Sequence, residues 1–215
     1  MINYNLIRYL YLSIFTVSLI GKTDAQNANF GIKGGLTYME TLQIFYPETG
    51  QPDGIEMISD AEIGFGVGLF IELPLTGLLS IQPEVHYMFI NNKGAEQFMP
   101  RTNVHYQTLQ VPLLLRINIL FQDRSAVYFL GGPYGGYFQK AEVKANGSVN
   151  DLTEVLKDLY FGATGGAGIQ TGRISVEVRY NFGLTNILVE DDEIGPSGIF
   201  KGVQNGFYAI LGYSF

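Results

Sequence analysis

The chain lacks cysteine and tryptophan, has two histidines, and charged residues make up only 15% of its 215 positions. Without cysteine there is no disulfide framework, so backbone ladders and packing must hold the fold. No internal stretch approaches the roughly 18 consecutive apolar residues of a helical membrane span. Positive charge is also scarce: 13 Lys+Arg against 20 Asp+Glu give a net charge of −7. Nothing forms a basic stripe, which argues against nucleic acid as a partner. What the chain does have is 47% apolar residues, 27 glycines, 14 tyrosines and 15 phenylalanines. Abundant glycine and aromatics without helical periodicity suit short alternating strands.

Residues 1–25 read as a cleaved signal peptide, with the barrel domain spanning 26–215. Arg8 gives a positive start, Tyr9 to Ile20 is largely apolar, and Thr23-Asp24-Ala25 supplies small residues for cleavage. The apolar run is shorter than the roughly 20 residues a membrane-anchoring helix needs. Cleavage before Gln26 leaves 215 − 25 = 190 residues. It removes Arg8, Lys22 and Asp24, for a mature charge of 11 − 19 = −8.

The last stretch sets the pattern for the rest. Phe207, Ala209, Leu211, Tyr213 and Phe215 fall on one side of a strand, and Gly206, Tyr208, Ile210, Gly212 and Ser214 on the other. An apolar face with aromatics at both ends fits a lipid-facing stave about ten residues long. Phe207, Leu211, Tyr213 and Phe215 resemble the C-terminal assembly signal of bacterial outer-membrane barrels.

Period-two alternation places seven further strands at Asn29–Tyr38, Ile63–Leu73, Leu79–Phe89, Tyr106–Ile117, Ala126–Phe138, Leu159–Gln170 and Ile174–Asn186. In Ala126–Phe138 apolar residues and glycines fill both faces, so alternation does not orient it. The connections Leu75–Gly77, Asn118–Arg124 and Thr171-Gly172 are short. Met39–Glu62, Ile90–His105, Gln139–Asp158 and Ile187–Gln204 are long, and Ala145-Asn146-Gly147-Ser148 within the third is a hairpin signal. Short turns on one side and long loops on the other give an all-β, eight-stranded antiparallel transmembrane up-and-down barrel. Both termini are then periplasmic, and strand eight closes on strand one.

Charge decides which face points inward. An unpaired charge in lipid costs a few kcal/mol, so Lys33, Glu72, Glu84, Arg116, Glu177 and Arg179 should face the lumen. Three positive and three negative groups can balance there. With a three-residue turn at Leu75–Gly77, Glu84, His86 and Met88 stand opposite Gly68, Gly66 and Gly64. With a two-residue turn at Thr171-Gly172, Glu177 and Arg179 stand opposite Gly166 and Thr164. Bulky groups across from small ones let a narrow barrel fit its interior. Pro83, Pro112 and Pro133 sit inside strands without a free edge, where each lacks a ladder donor. A shared irregularity is expected where Pro83 and Pro112 lie on adjacent strands.

Several motifs together resemble the PorT-like outer-membrane β-barrel family. They are Tyr106-Gln107-Thr108-Leu109-Gln110-Val111-Pro112-Leu113-Leu114-Leu115-Arg116, Gly131-Gly132-Pro133-Tyr134-Gly135-Gly136-Tyr137, Gly165-Gly166-Ala167-Gly168-Ile169, Val178–Asn186 and Phe30–Leu36. The resemblance implies an OmpA-like eight-stranded barrel in the outer membrane of a Gram-negative cell. The family carries a porin label, and its namesake is implicated in secretion and gliding.

Four functions compete. The first is a non-enzymatic barrel with a filled lumen, acting through its outer loops or as an envelope or secretion-assembly component. The second is a narrow porin-like channel, opposed by a bore that side chains of Phe70, Arg116, Tyr160 and Arg179 would fill. The third is a lipid-modifying enzyme, which needs a nucleophile and base within reach. His86, read as inward, and His105, in or near a loop, have no sequence-adjacent serine. The fourth is a soluble ligand carrier, opposed by the interior charges and the terminal aromatic. The acidic run Glu190–Glu193 lacks the spacing of a calcium loop. No catalytic, cofactor or metal site is therefore expected. Expected partners are outer-membrane lipids, the barrel-assembly machinery and an envelope protein met through the outer loops.

Overall fold

Alternation becomes burial along each strand. On one stretch of chain Leu69 is 64% exposed while the next residue, Phe70, is 4% exposed, and the same alternation runs on to buried Glu72. The structure is a computed structural model, described for residues 28–47, 55–93, 102–122, 125–145, 148–151, 159–187 and 198–215. Its strands are β1 (Asn29–Pro47), β2 (Ile55–Pro74), β3 (Leu79–Lys93), β4 (Thr102–Gln122), β5 (Ser125–Ala145), β6 (Ser148–Asp151), β7 (Leu159–Thr171), β8 (Ile174–Gly183) and β9 (Gly198–Ser214). All pairings are antiparallel, and the sheet runs β4-β3-β2-β1-β9-β8-β7-β5-β6, with β4 also paired to β5. The β4–β5 pairing closes eight strands into a barrel; β6 is a short addition beside the outer end of β5. This is the all-β, eight-stranded antiparallel barrel the sequence predicts.

The barrel is inverted relative to a soluble protein. Phe30, Ile63, Leu69, Phe129, Phe161 and Leu211 are exposed on the outer wall, while Lys33, Glu84, Arg116, Glu177 and Arg179 are buried inside. Lipid solvates the first set, and the second must find partners within the bore.

Several boundaries differ from the sequence reading. β1 continues to Pro47 and β2 begins at Ile55, so much of Met39–Glu62 is strand, with a register shift between Tyr38 and Thr41. Likewise β3 reaches Lys93, β4 begins at Thr102, β5 reaches Ala145 and β9 begins at Gly198. Crossing the bilayer needs about 9–11 residues per strand, so β4 and β5, with 21 each, extend well past it. Beyond the lipid no apolar face is demanded, and alternation stops reporting the ladder. Ala145 pairs with Ser148, so the predicted hairpin forms above the barrel. β8 ends at Gly183 rather than Asn186.

The turns are placed differently from the sequence reading. Gln122 pairs with Ser125, and Thr171 with Ile174, so the latter turn is Gly172-Arg173. Gly172 has φ 59°, a left-handed conformation that favours a residue without Cβ. The β2–β3 turn spans residues 75–78, fastened by Leu75 and Thr76 amides donating to the Leu79 carbonyl at 2.8 and 3.1 Å. Both predicted cross-strand sets therefore move by two residues. Glu84, His86 and Met88 face Phe70, Gly68 and Gly66, while Glu177 and Arg179 face Gly168 and Gly166. At the prolines, registered pairs stop at Pro83↔Leu113 and resume at His86↔Gln110 without a change of register. The missing proline donor opens the ladder there without inserting a residue.

Candidate functional site in the barrel lumen

The lumen is organised around a ring of four charges from three strands. Lys33 of β1 donates to Glu84 of β3 at 2.7 Å and to Glu177 of β8 at 3.1 Å. Arg179, also on β8, grips both oxygens of Glu84 at 2.5 and 2.8 Å and also pairs with Glu177. Around the wall, β2, β1 and β9 separate β3 from β8, so these bonds cross the bore. His86 joins through Nε2 to the second Glu84 oxygen at 2.7 Å, and Gln82 donates to the first at 2.5 Å.

Glycine makes room for this ring. Lys33 lies between Gly68 and Gly212 on the flanking strands. A Cβ at Gly166 would lie 2.9 Å from Cα and Cγ of Arg179, and one at Gly68 would lie 2.6 Å from Nδ1 of His86. Both approaches are too close for any residue larger than glycine.

A second cluster lies nearer the short turns. Arg116 pairs with Glu72 at 3.3 Å and donates to Gln82 at 3.1 Å, Asn118 at 2.7 Å and Gln170 at 2.5 Å. Ser80 donates to Glu72 at 2.8 Å. The Tyr128 ring lies 3.7 Å from the Arg116 guanidinium carbon, and its hydroxyl donates to Glu177 at 2.8 Å. Tyr128 thus joins the two clusters. Toward the outer end the lining turns apolar: Met39, Met88, Ile90, Tyr106, Phe138 and Tyr160 pack together as a plug. Phe138 and Tyr160 lie with ring centroids 4.6 Å apart, and Tyr160 is anchored by Thr108 at 2.6 Å and Gln110 at 2.8 Å.

The six charged residues singled out in the sequence all lie in the lumen, but as a four-membered ring plus a pair rather than one set. Tyr128 and most of the apolar plug were not identified from sequence, although Tyr160 was placed inside the bore. Tyr128 lies in the strand whose two faces alternation left unoriented, and Met88 had shown itself only by sharing the phase of Glu84 and His86. His105 lies in β4, half-buried, with Nδ1 2.8 Å from Asn91 Oδ1. Glu190–Glu193 lie outside the described residues.

At the barrel's end, Phe207, Leu211, Tyr213 and Phe215 all point outward. The Phe215 amide donates to the Phe30 carbonyl at 2.9 Å, and the two rings lie 5.5 Å apart.

The sequence matches the family described as outer membrane protein beta-barrel domain over residues 24–189. Among solved structures, OprG from Pseudomonas aeruginosa is 12% identical, with 87% of this chain and 96% of that chain covered and a TM-score of 0.51. Neisserial surface protein A is 13% identical over 88% of this chain and 99% of that one, with a TM-score of 0.44. At such identities the OprG likeness speaks to fold alone. Comparison with curated proteins gives no match. The family match covers most of the chain and the barrel presents apolar residues to lipid, so the protein belongs to the outer membrane protein beta-barrel domain family, resident in the outer membrane of a Gram-negative bacterium.

Proposed function

We propose that this barrel is a non-enzymatic, PorT-like envelope component that acts through its outer loops and strand extensions, with a lumen that does not conduct. The observation that carries this reading is the filled bore: a cross-lumen charge ring with an apolar plug stacked above it. An eight-stranded barrel has an interior just wide enough for side chains to fill. An apolar constriction also resists wetting and ion passage. The porin-like alternative would need both layers to move aside together. Against a lipid-modifying activity, His86 is held by Glu84 inside the barrel and His105 is bonded to Asn91. Purified barrel in a planar bilayer should give no steady single-channel current. A stable current of the size produced by larger porins would replace this reading with the channel.

A further inference from the structure

The outer wall is not evenly convex. An apolar groove of about 890 Å³ crosses it, within the roughly 300–1,000 Å³ typical of small-molecule sites. Its lower edge is a row of register partners, Ile174, Tyr213, Ile32, Leu69 and Val85, running from β8 through β9, β1 and β2 to β3. The opposite edge, Leu211, Gly34, Val67, Tyr87 and Leu109, lies two residues further along and runs from β9 to β4. The depression opens where Gly34, between Leu211 and Val67 in that second row, has no side chain.

The groove also has a direction. Ile174 is the first residue of β8, at the short-turn, periplasmic end, whereas Leu109 lies well inside β4. Strand tilt therefore carries the groove obliquely from the periplasmic interface toward the middle of the bilayer. At its lower mouth a cation waits: Arg173, exposed in the β7–β8 turn, donates to the Tyr213 hydroxyl at 3.4 Å. Tyr213 itself lines the groove, so the charged mouth and the apolar channel are continuous.

We infer that this groove is a binding site for a glycerophospholipid of the periplasmic leaflet. The phosphate sits on Arg173 and the Tyr213 hydroxyl, and one acyl chain lies along the groove over Gly34. A basic residue beside an interfacial tyrosine suits an anionic headgroup, and the climb suits a chain running inward from it.

Gly34 makes the site testable without disturbing the fold. A Cβ there would meet only the Gly66 carbonyl at 3.7 Å and Val67 Cγ1 at 3.9 Å, ordinary contact distances. Gly34→Leu should therefore fill the groove while the barrel still folds, and Arg173→Gln should remove the phosphate contact. The intact barrel, refolded in detergent with dimyristoyl phosphatidylglycerol and checked for folding by gel mobility, is examined by native mass spectrometry. Unaltered barrel should retain one phospholipid, and each variant should retain about tenfold less, one lost charge-assisted contact or one occluded chain being worth roughly that factor. Leu115→Phe, on β4 outside the groove, should retain the normal amount. The matching diacylglycerol, which lacks phosphate, should bind no better to unaltered barrel than the phospholipid binds to Arg173→Gln. Normal phospholipid retention by folded Gly34→Leu or by Arg173→Gln, or diacylglycerol retention equal to that of the phospholipid, would overturn the assignment.

Discussion

Replacing Arg179 by methionine tests the lumen most directly. The side chain is 2% exposed and supplies three of the contacts in the charge ring, two to Glu84 and one to Glu177. Methionine has similar length and fills the space, so the packing loss is small and the change is mainly electrostatic. After substitution the ring holds one cation, Lys33, against two carboxylates. Removing one partner of a buried pair costs about 3–5 kcal/mol. The lower end applies here, because Glu84 keeps Lys33, Gln82 and His86 while Glu177 keeps Lys33 and Tyr128. We therefore expect a loss of about 3 kcal/mol, read as a lowered guanidinium midpoint for the barrel in detergent micelles. Adding Glu84→Gln restores the charge balance and should recover part of the loss, a coupling within the roughly 0.5–3 kcal/mol seen for contacting residues. Lys140→Met removes an equally clear ion pair with Glu142, at 2.6 Å, but in solvent, and should be nearly silent. Equal midpoints for Arg179→Met and Lys140→Met would refute the view that the lumenal ring holds the barrel together.

Other outcomes follow from the same geometry. A cysteine at Val149, exposed in β6, should react with an impermeant thiol reagent on whole cells, and one at Thr76 in the β2–β3 turn should not; the reverse labelling would invert the topology. Phe138→Ala opens a hole in the plug and should cost about 3–5 kcal/mol, measured as an unfolding midpoint, whereas Phe129→Ala on the lipid face of the same strand should cost clearly less. Deleting Phe215 removes an interfacial ring worth roughly 1.5–3 kcal/mol, which the refolded barrel should survive. If the terminal aromatic is also read during assembly, the amount inserted in cells should fall much further. Tyr180→Ala, which breaks ring contacts to Phe182 and Phe207 at 4.5 and 4.8 Å, should do the opposite.

Alternation made the wall of the barrel legible and left its register hidden. A slip of one residue would turn Lys33 or Glu84 into lipid, so the charges fix which face is inward. A slip of two residues leaves every side chain on its own face. For that reason the turns at residues 75–78 and at Gly172-Arg173 could each be displaced without any conflict in the pattern. Local turn chemistry held the missing signal, in Gly172 at φ 59° and in Thr76 Oγ1, which accepts from the Leu78 and Leu79 amides at 3.3 and 3.1 Å. Most of the plug escaped notice for a different reason. Where the inner face is also apolar, as at Ile90 and Phe138, composition no longer separates inside from outside. The ring itself could be anticipated as a set of charges, but its pairing could not. Which cation meets which anion depends on geometry across the bore between strands distant in sequence.

The seam between β1 and β9 constrains how the molecule can be made. It runs from Gly31↔Ser214 to Pro47↔Gly198 and joins the two ends of the folded chain. The first of these pairs closes a loop of 214 − 31 = 183 residues. Chain statistics put that closure near 4.6 kcal/mol before constants, several times the figure for a neighbouring hairpin. The seam should therefore form last, after the hairpins have set the curvature that brings its halves together. Until then β1 and β9 each present an open edge, and neither can remain bare in lipid. A chain without β9 would leave β1 with one edge unpaired, so closure of the barrel depends on that one strand.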